Sequence, residues 1–248
     1  MIVIPMAGES SRFKKAGYLQ PKFMLPLEGR PLFDWTVLSF QAYFESEIFL
    51  FVARNDPNIK SFLQERINFL GIKNSHCIFL DQPTRGQAET VRLGLKGFTA
   101  EVLKYAGDSI TIFNIDTIRP QITFPKGHKK NAWLEVFQTK GDNWSFVLPE
   151  ASDSNVVKRC AEKSRISDYC CTGLYSFKDV DQYIRAYDME LKNPSSHELF
   201  IAPMYNHLID GGELVTWFEV ESEKVLLSGV PQEYENLKKS PISDFMLT

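Results

Sequence analysis

The sequence predicts an α/β fold: a mixed, mostly parallel sheet flanked by helices, with a smaller second subdomain. Three observations predict it. Apolar runs of strand length alternate with helix-period stretches through the first half, and beyond Asp116 the pattern changes to shorter strands separated by turns. No repeat, low-complexity tract or Pro/Gly/Ser-rich linker divides the 248 residues, so the chain reads as one domain with halves 1–116 and 117–248.

The elements follow in order. Met1 to Met6 is a short apolar strand, and Ile48 to Ala53, Cys77 to Leu80 and Ser109 to Ile115 read as further buried parallel strands. Between the first two, Pro31 suits a first helical turn, and Phe33, Val37, Phe40 and Phe44 recur at helical spacing. Ile59, Phe62, Leu63, Ile67 and Leu70 form a second stripe, which Gly71 closes. In the second half, strands are expected at Ala132 to Gln138, Ser145 to Leu148, Val156 to Cys160 and Tyr169 to Phe177. Helices are expected at Val180 to Leu191, where Val180, Tyr183, Ile184 and Tyr187 share a face, and around Phe200 to Ile209.

Composition excludes several classes. A net charge of −3 gives no bulk electrostatic reason to bind nucleic acid. No apolar run approaches the length of a membrane span and no basic leader precedes the first strand, so a cytoplasmic protein without a membrane partner is expected. Cys77, Cys160, Cys170 and Cys171 lack zinc-type spacing and read as buried free thiols, with Cys170 and Cys171 on opposite sheet faces. His76, His128, His197 and His207 show no metal-like spacing either.

The segment from Pro5 to Leu32 carries the most chemistry. Ala7, Gly8, Glu9, Ser10 and Ser11 break the first strand with small and polar residues that let backbone N–H groups approach an anion. Arg12 adds a planar fork for phosphate oxygens, and Lys22 a compact point charge. This combination suits a nucleoside triphosphate. A second polar segment, Asp81 to Thr90, joins a strand to a helix, and its Gln82 and Gln87 offer the amide groups that reading a pyrimidine edge requires. Gly86 leaves room for a base near the backbone. A third, Asn114-Ile115-Asp116, ends a buried strand with a carboxylate suited to hard Mg²⁺.

In their order, Ala-Gly, Ser-Arg-Phe, Pro21-Lys22, Leu25-Pro26 and Gly29-Arg30-Pro31-Leu32 resemble the signature of the sugar-phosphate nucleotidyltransferases, or nucleotide-sugar pyrophosphorylases. The resemblance implies a Rossmann-like, GT-A-type fold whose smaller subdomain binds an acceptor. It implies phosphate-facing Arg12 and Lys22, base-holding Gln82, Gly86 and Gln87, and metal-binding Asp116. Cys160-Ala161-Glu162-Lys163 followed by Thr172-Gly173-Leu174-Tyr175-Ser176-Phe177 is similar to the family's acceptor-pocket residues, which assigns Glu162, Lys163 and Gly173 to the acceptor; Glu198 to Asn206 also resembles a family stretch.

The sequence departs from the family at one place. Where many members carry a second metal-binding Asp before a late Gly-x-Pro, here Ser228-Gly229-Val230-Pro231, this chain has Leu227. Either one carboxylate holds the metal, or Glu219 or Glu221 substitutes.

The implied activity is transfer of a nucleoside monophosphate to a phosphorylated small metabolite with release of pyrophosphate, using Mg²⁺. A phosphate monoester, with a second pKa of about 6, is already a nucleophile at neutral pH and needs no general base. The short loop and the lack of a long C-terminal extension look more like the compact cytidylyltransferases, so CTP is favoured over UTP or dTTP. The acceptor is a sugar, polyol or amine/amide phosphate of the kind used in bacterial surface polysaccharide synthesis, and a homo-oligomer is left open. Other classes fit less well. A GT-A glycosyltransferase would show Asp-x-Asp where Asn114 stands, a nicotinamide dehydrogenase would need two further glycines after Gly8, and a regulatory protein would have lost Arg12, Lys22 or Asp116.

Overall fold

Alternation along Ile2–Met6 sends Ile2, Ile4 and Met6 to one face of a sheet and Val3 to the other, and each face is buried. The structure, a computed structural model, describes residues 1–98, 109–239, 241, 242 and 245. Its strands are β1 (Ile2–Met6), β2 (Pro26–Leu27), β3 (Arg30–Pro31), β4 (Ile48–Arg54), β5 (Asn74–Leu80), β6 (Ile110–Phe113), β7 (Thr117–Ile118), β8 (Ala132–Gln138), β9 (Ser145–Pro149), β10 (Val157–Glu162), β11 (Tyr169–Phe177), β12 (Val215–Glu219) and β13 (Leu226–Leu227). Its α-helices are α1 (Ser11–Lys15), α2 (Leu32–Leu38), α3 (Pro57–Leu70), α4 (Gln87–Gly97), α5 (Val180–Lys192), α6 (Met204–Asp210) and α7 (Pro231–Leu237).

Among the described residues one nine-stranded sheet joins both halves of the chain, in the order β10-β9-β11-β6-β1-β4-β5, with β8 also on β11 and β12 on β8. β6, β1, β4 and β5 run parallel, and β11 returns antiparallel against β6 and β8. Chain order runs outward in opposite directions from β1, through β4 on one side and β6 on the other. Such a switch point opens a crevice at the carboxyl ends of the strands. Two cores cover the sheet: α2 and α3 lay Phe33, Val37, Ile59, Leu63 and Ile67 on one face, and α4, α5 and α6 cover the other.

The structure adjusts several expectations. β5 is the outermost strand of its side and is only half-buried, where a fully buried strand was expected. Phe33, Val37, Phe40 and Phe44 are all buried, but the α-helix ends at Leu38 and a 3₁₀ turn over Gln41–Tyr43 carries on; Pro31 is the extended residue before the helix. α6 starts at Met204, not near Phe200, because Pro203 stands just before it and residues 199–203 run as turn and extended chain. α3 matches its stripe: Asp56 accepts N–H groups of Asn58 and Ile59, and Gly71 at φ 75° closes it in the left-handed region. Cys160, Cys170 and Cys171 are buried, Cys77 is half-buried, and all four are free. Cys170 and Cys171 pack into different clusters, as alternation requires.

Candidate active site

A cleft of about 1040 Å³ opens above the carboxyl ends of β1 and β6 and takes its lining from both halves of the chain. On one side lies the loop after β1. Ala7 is buried while Gly8, Glu9, Ser11 and Arg12 are exposed, and all of them line the cleft. Ser10 adopts the left-handed conformation (φ 53°), uncommon for a residue with a side chain. Its Oγ accepts the N–H of Lys22 at 3.2 Å, which draws the two cation-bearing segments together. The Lys22 Nζ in turn pairs with Asp116 Oδ2.

Asp116 follows β6 and is fixed through its own backbone. Its carbonyl accepts the N–H of Ser228 at 2.8 Å and the Ser228 hydroxyl at 3.1 Å. This seats Gly229 against the carboxylate: a Cβ there would lie 3.2 Å from Asp116 Oδ2 and 3.5 Å from Glu233 Oε2. Glu233 Oε2 accepts the N–H groups of Gly229 at 2.7 Å and Val230 at 3.1 Å, and Glu233 lines the cleft. Leu227 pairs with Thr117 in the β7–β13 ladder. Glu219 instead accepts the side-chain amide of Gln138, Glu221 pairs with Lys224, and neither lines the cleft. The carboxylate brought beside Asp116 is therefore Glu233, which sequence reasoning missed. Its signal was present in Gly229-Val230-Pro231-Gln232-Glu233, a Pro at the first helical position with Glu two residues on, where a side chain reaches back to the preceding amides.

The expected base segment is split. Pro83, Thr84, Gly86, Gln87 and Thr90 line the cleft, whereas Gln82 is exposed and lies outside the lining. Gln87 Nε2 donates to Asn114 Oδ1. Asn114 is braced from behind by Gly173, at φ 95°, where a Cβ would lie 2.5 Å from Asn114 Nδ2; the Asn114 N–H donates to the Gly173 carbonyl at 3.2 Å. Gly173 thus packs at the irregularity between Cys171 and Tyr175 in β11 and is not itself among the lining residues. Gly86 also meets protein: a Cβ on it would lie 2.4 Å from the Leu199 carbonyl oxygen.

At the far end Glu162, the last residue of β10, shares the cleft with Trp144, Ser145, Tyr175, Glu198 and Phe200. Burial pushes the Glu162 carboxyl above its ordinary range, Glu198 adding to the shift and the Ser145 hydroxyl and Lys163 opposing it. Lys163 is exposed and is not among the lining residues, and it holds its Nζ 4.4 Å from the centre of the Phe200 ring, which is. Beneath the cleft, Thr172 Oγ1 donates to Glu135 Oε1 at 3.0 Å and Arg119 Nε donates to Glu135 Oε2 at 2.7 Å. Burial pushes the Glu135 carboxyl up to about 7 against the pull of Arg119 and Thr172.

One cleft thus joins the Ala7–Arg12 loop at one end to the Glu162 and Glu198 carboxylates at the other. Residues 2–133 match the model of a MobA-like NTP transferase domain. The chain belongs to the MobA-like NTP transferase family. As a whole, this NTP transferase is similar to the nucleoside-diphosphate-sugar pyrophosphorylase of Vibrio cholerae RC9, with 46% identity over 97% of this chain and 100% of that one and a TM-score of 0.92. It shares its fold with the inositol-1-phosphate CTP transferase of T. maritima (15% identity, 96% and 94% of the chains, TM-score 0.71). The fold likewise matches the UTP-bound UGPase of Acinetobacter baumannii (14% identity, 96% and 91%, TM-score 0.68). No curated protein matches the chain. The NTP transferase is thus a nucleotidyltransferase with a GT-A-like α/β fold. Among its described residues no helix is long and apolar enough to cross a membrane.

Proposed function

We propose that the protein transfers CMP from CTP to a phosphorylated small metabolite and releases pyrophosphate, with surface polysaccharide synthesis as its setting. UTP and dTTP are the alternative donors, and a sugar, polyol or amine/amide phosphate is the acceptor. One observation carries this reading: a single cleft joins the Arg12 loop and the Lys22–Asp116 pair to the Glu162 pocket, so a triphosphate and an acceptor fit in line.

In this reading the acceptor phosphate oxygen attacks the α-phosphorus. A new P–O bond forms as the bond to the β-phosphate breaks, and pyrophosphate leaves with the electron pair. No protein base is required, since the phosphate monoester brings its own charge. Arg12 and Lys22 bind and orient the phosphates and face the developing negative charge, and the loop Ala7 to Ser11 approaches them with backbone amides. Gln87 faces the base. Glu162 accepts hydrogen bonds from acceptor hydroxyl or amine groups, and Lys163 beside Phe200 meets the acceptor's phosphate.

The residues present fit a divalent ion. Asp116 lines the cleft with a partly exposed carboxylate, the oxygen ligand that suits Mg²⁺, and Glu233, whose Oε2 accepts the N–H groups of Gly229 and Val230, lines the cleft near it. Asp116, with Glu233 beside it, would hold the ion, which when bound neutralises phosphate charge.

A pyrophosphate-release assay across CTP, UTP, dTTP and ATP, each with Mg²⁺ and a panel of phosphorylated sugars, polyols and amines, tests the proposal. Release is expected only when triphosphate, acceptor and Mg²⁺ are all present, and fastest with CTP. Release that is independent of any acceptor, or none across the whole panel, would refute it.

A further inference from the structure

The loop between α5 and α6 supplies Glu198, Phe200 and Ile201 to the acceptor end of the cleft, yet between them Leu199 turns to the nucleotide side. The Leu199 N–H donates to the Arg85 carbonyl and its carbonyl accepts the N–H of Ala88, both at 3.0 Å. The Leu199 side chain is buried in the core under α4 and α5. This close pairing exists because residue 86 is glycine: a Cβ there would lie 2.4, 2.8 and 2.9 Å from the carbonyl oxygen, nitrogen and carbonyl carbon of Leu199. The clash is with backbone, which no rotamer change relieves.

Both partners of the pairing are stiff. Within the nucleotide segment, the Gly86 carbonyl accepts the N–H of Thr90 at 3.1 Å, and Arg85 bonds Glu89 through its own N–H and its guanidinium. The acceptor loop is tied at its start as well. Ser195 donates its N–H and hydroxyl to Glu190 Oε1 at 2.8 and 2.6 Å, and the other Glu190 oxygen bonds His207 Nε2 at 2.8 Å. From there Phe200 reaches across to receive Lys163. A loop fixed at Ser195 and clamped at Leu199 leaves only Ser196, His197 and Glu198 between the two fixed points, so displacement of the clamp moves Glu198 and Phe200 together.

We propose that Leu199 is the strap joining the two substrate sites: the nucleotide segment, gripping its backbone at Arg85 and Ala88, positions the acceptor-facing Glu198 and Phe200, and Gly86 serves this contact. The inference rests on the nucleotide reading of the cleft for its functional meaning, and on the structure alone for the strap. Gly86 and Leu199 are positioning residues in this scheme. Filling the nucleotide segment steadies the acceptor loop without touching it.

Native-state hydrogen exchange on the full chain tests it. Under rising denaturant, the Ala88 and Leu199 amides are expected to open with one free energy and one denaturant slope, since neither hydrogen bond survives alone. CTP with Mg²⁺ is expected to slow exchange at Leu199 and Phe200 together with residues 84–90. In Gly86→Ala, Leu199 should exchange faster by about tenfold, as the loss of a net backbone hydrogen bond implies, and CTP should no longer protect residues 198–200. Independent opening of Leu199 and Ala88 in the native chain would overturn the strap, and that arm needs no variant to fold. Unchanged exchange at residues 196–201 in a folded Gly86→Ala would overturn it as well. If neither CTP nor UTP protects residues 84–90, the nucleotide reading fails, while the denaturant series still decides the strap.

Discussion

Lys22 and Asp116 meet as an ion pair across the cleft from 94 residues apart, Nζ donating to Oδ2. The side chains are 19% and 26% exposed, so water and ligands reach both. In the free protein the ammonium already partners the carboxylate, and a divalent ion arriving alone must compete with it. A triphosphate changes the balance, offering Lys22 other anions and supplying most of the negative charge for the metal. Calorimetry should therefore find weak Mg²⁺ binding to the nucleotide-free protein and clear binding with CTP. Lys22→Ala should bind Mg²⁺ more tightly than the native chain without nucleotide, yet lose about 10²–10³ in turnover, by analogy with removal of one transition-state donor. Asp116→Asn should abolish Mg²⁺-dependent turnover. Tight Mg²⁺ binding to the free native protein would contradict the competition.

Glu233 is the second prediction. Glu233→Gln keeps an oxygen to accept the N–H groups of Gly229 and Val230 while removing the charge beside Asp116. Its fold should hold, and the Mg²⁺ concentration for half-maximal activity should rise by about tenfold or more, the scale on which groups supporting a metal site act. Glu219→Gln and Glu221→Gln, both remote from the cleft, should match the native chain. Equal effects from all three would show that only bulk charge matters.

These residues show what could be read in the chain beforehand. The strands around β1, the α3 stripe with its Gly71 stop, and the Ala7–Arg12 loop were legible because each is local: alternation, period and loop composition act within a few residues. Asp116 was legible only in order with the other two segments, since a lone Asp after a strand is usually a cap or turn residue. Leu199 was not legible, since its partners Arg85 and Ala88 lie more than a hundred residues away; Glu233 carries a local signal for its bonds to Gly229 and Val230, but nothing beside it names Asp116. Gly86 was read as room for a base, and Gly173 was assigned to the acceptor through the family resemblance. The structure sets the Leu199 backbone against Gly86 and the Asn114 side chain against Gly173. Glycine marks a close approach without saying what approaches.

The third prediction separates the two glutamines. Gln87 lines the cleft and donates to Asn114, while Gln82 stands outside it. Gln87→Leu should weaken CTP binding and narrow the preference for pyrimidine over purine triphosphates, each by about 1–3 kcal/mol, the cost of one lost or unpaired buried polar contact. Gln82→Ala should change neither. Fluorescence titrations with CTP and ATP decide it, and a base preference lost in Gln82→Ala but kept in Gln87→Leu would reverse the assignment.

The last prediction concerns the buried carboxyl under the cleft. Burial raises Glu135 from an ordinary 4.5 to about 7, so between these values the folded chain holds a proton that the unfolded chain has released. Stability from this group is complete below about 4.5 and is lost as the pH rises through about 7. Glu135→Gln cannot titrate there. Near pH 4.5 it should match the native chain to within about 1 kcal/mol, since both side chains are then neutral and each keeps an oxygen to accept the Arg119 Nε–H. Its stability relative to the native chain should rise by on the order of 3 kcal/mol between pH 4.5 and 7.5, the size of a shift of roughly 2.5 pKa units. Urea unfolding of both proteins across that range measures the difference directly. A stability difference that stays constant would mean that Glu135 is ionised throughout, with the attraction of Arg119 outweighing the cost of burial, and the acid side of the window would then carry no signature of this residue.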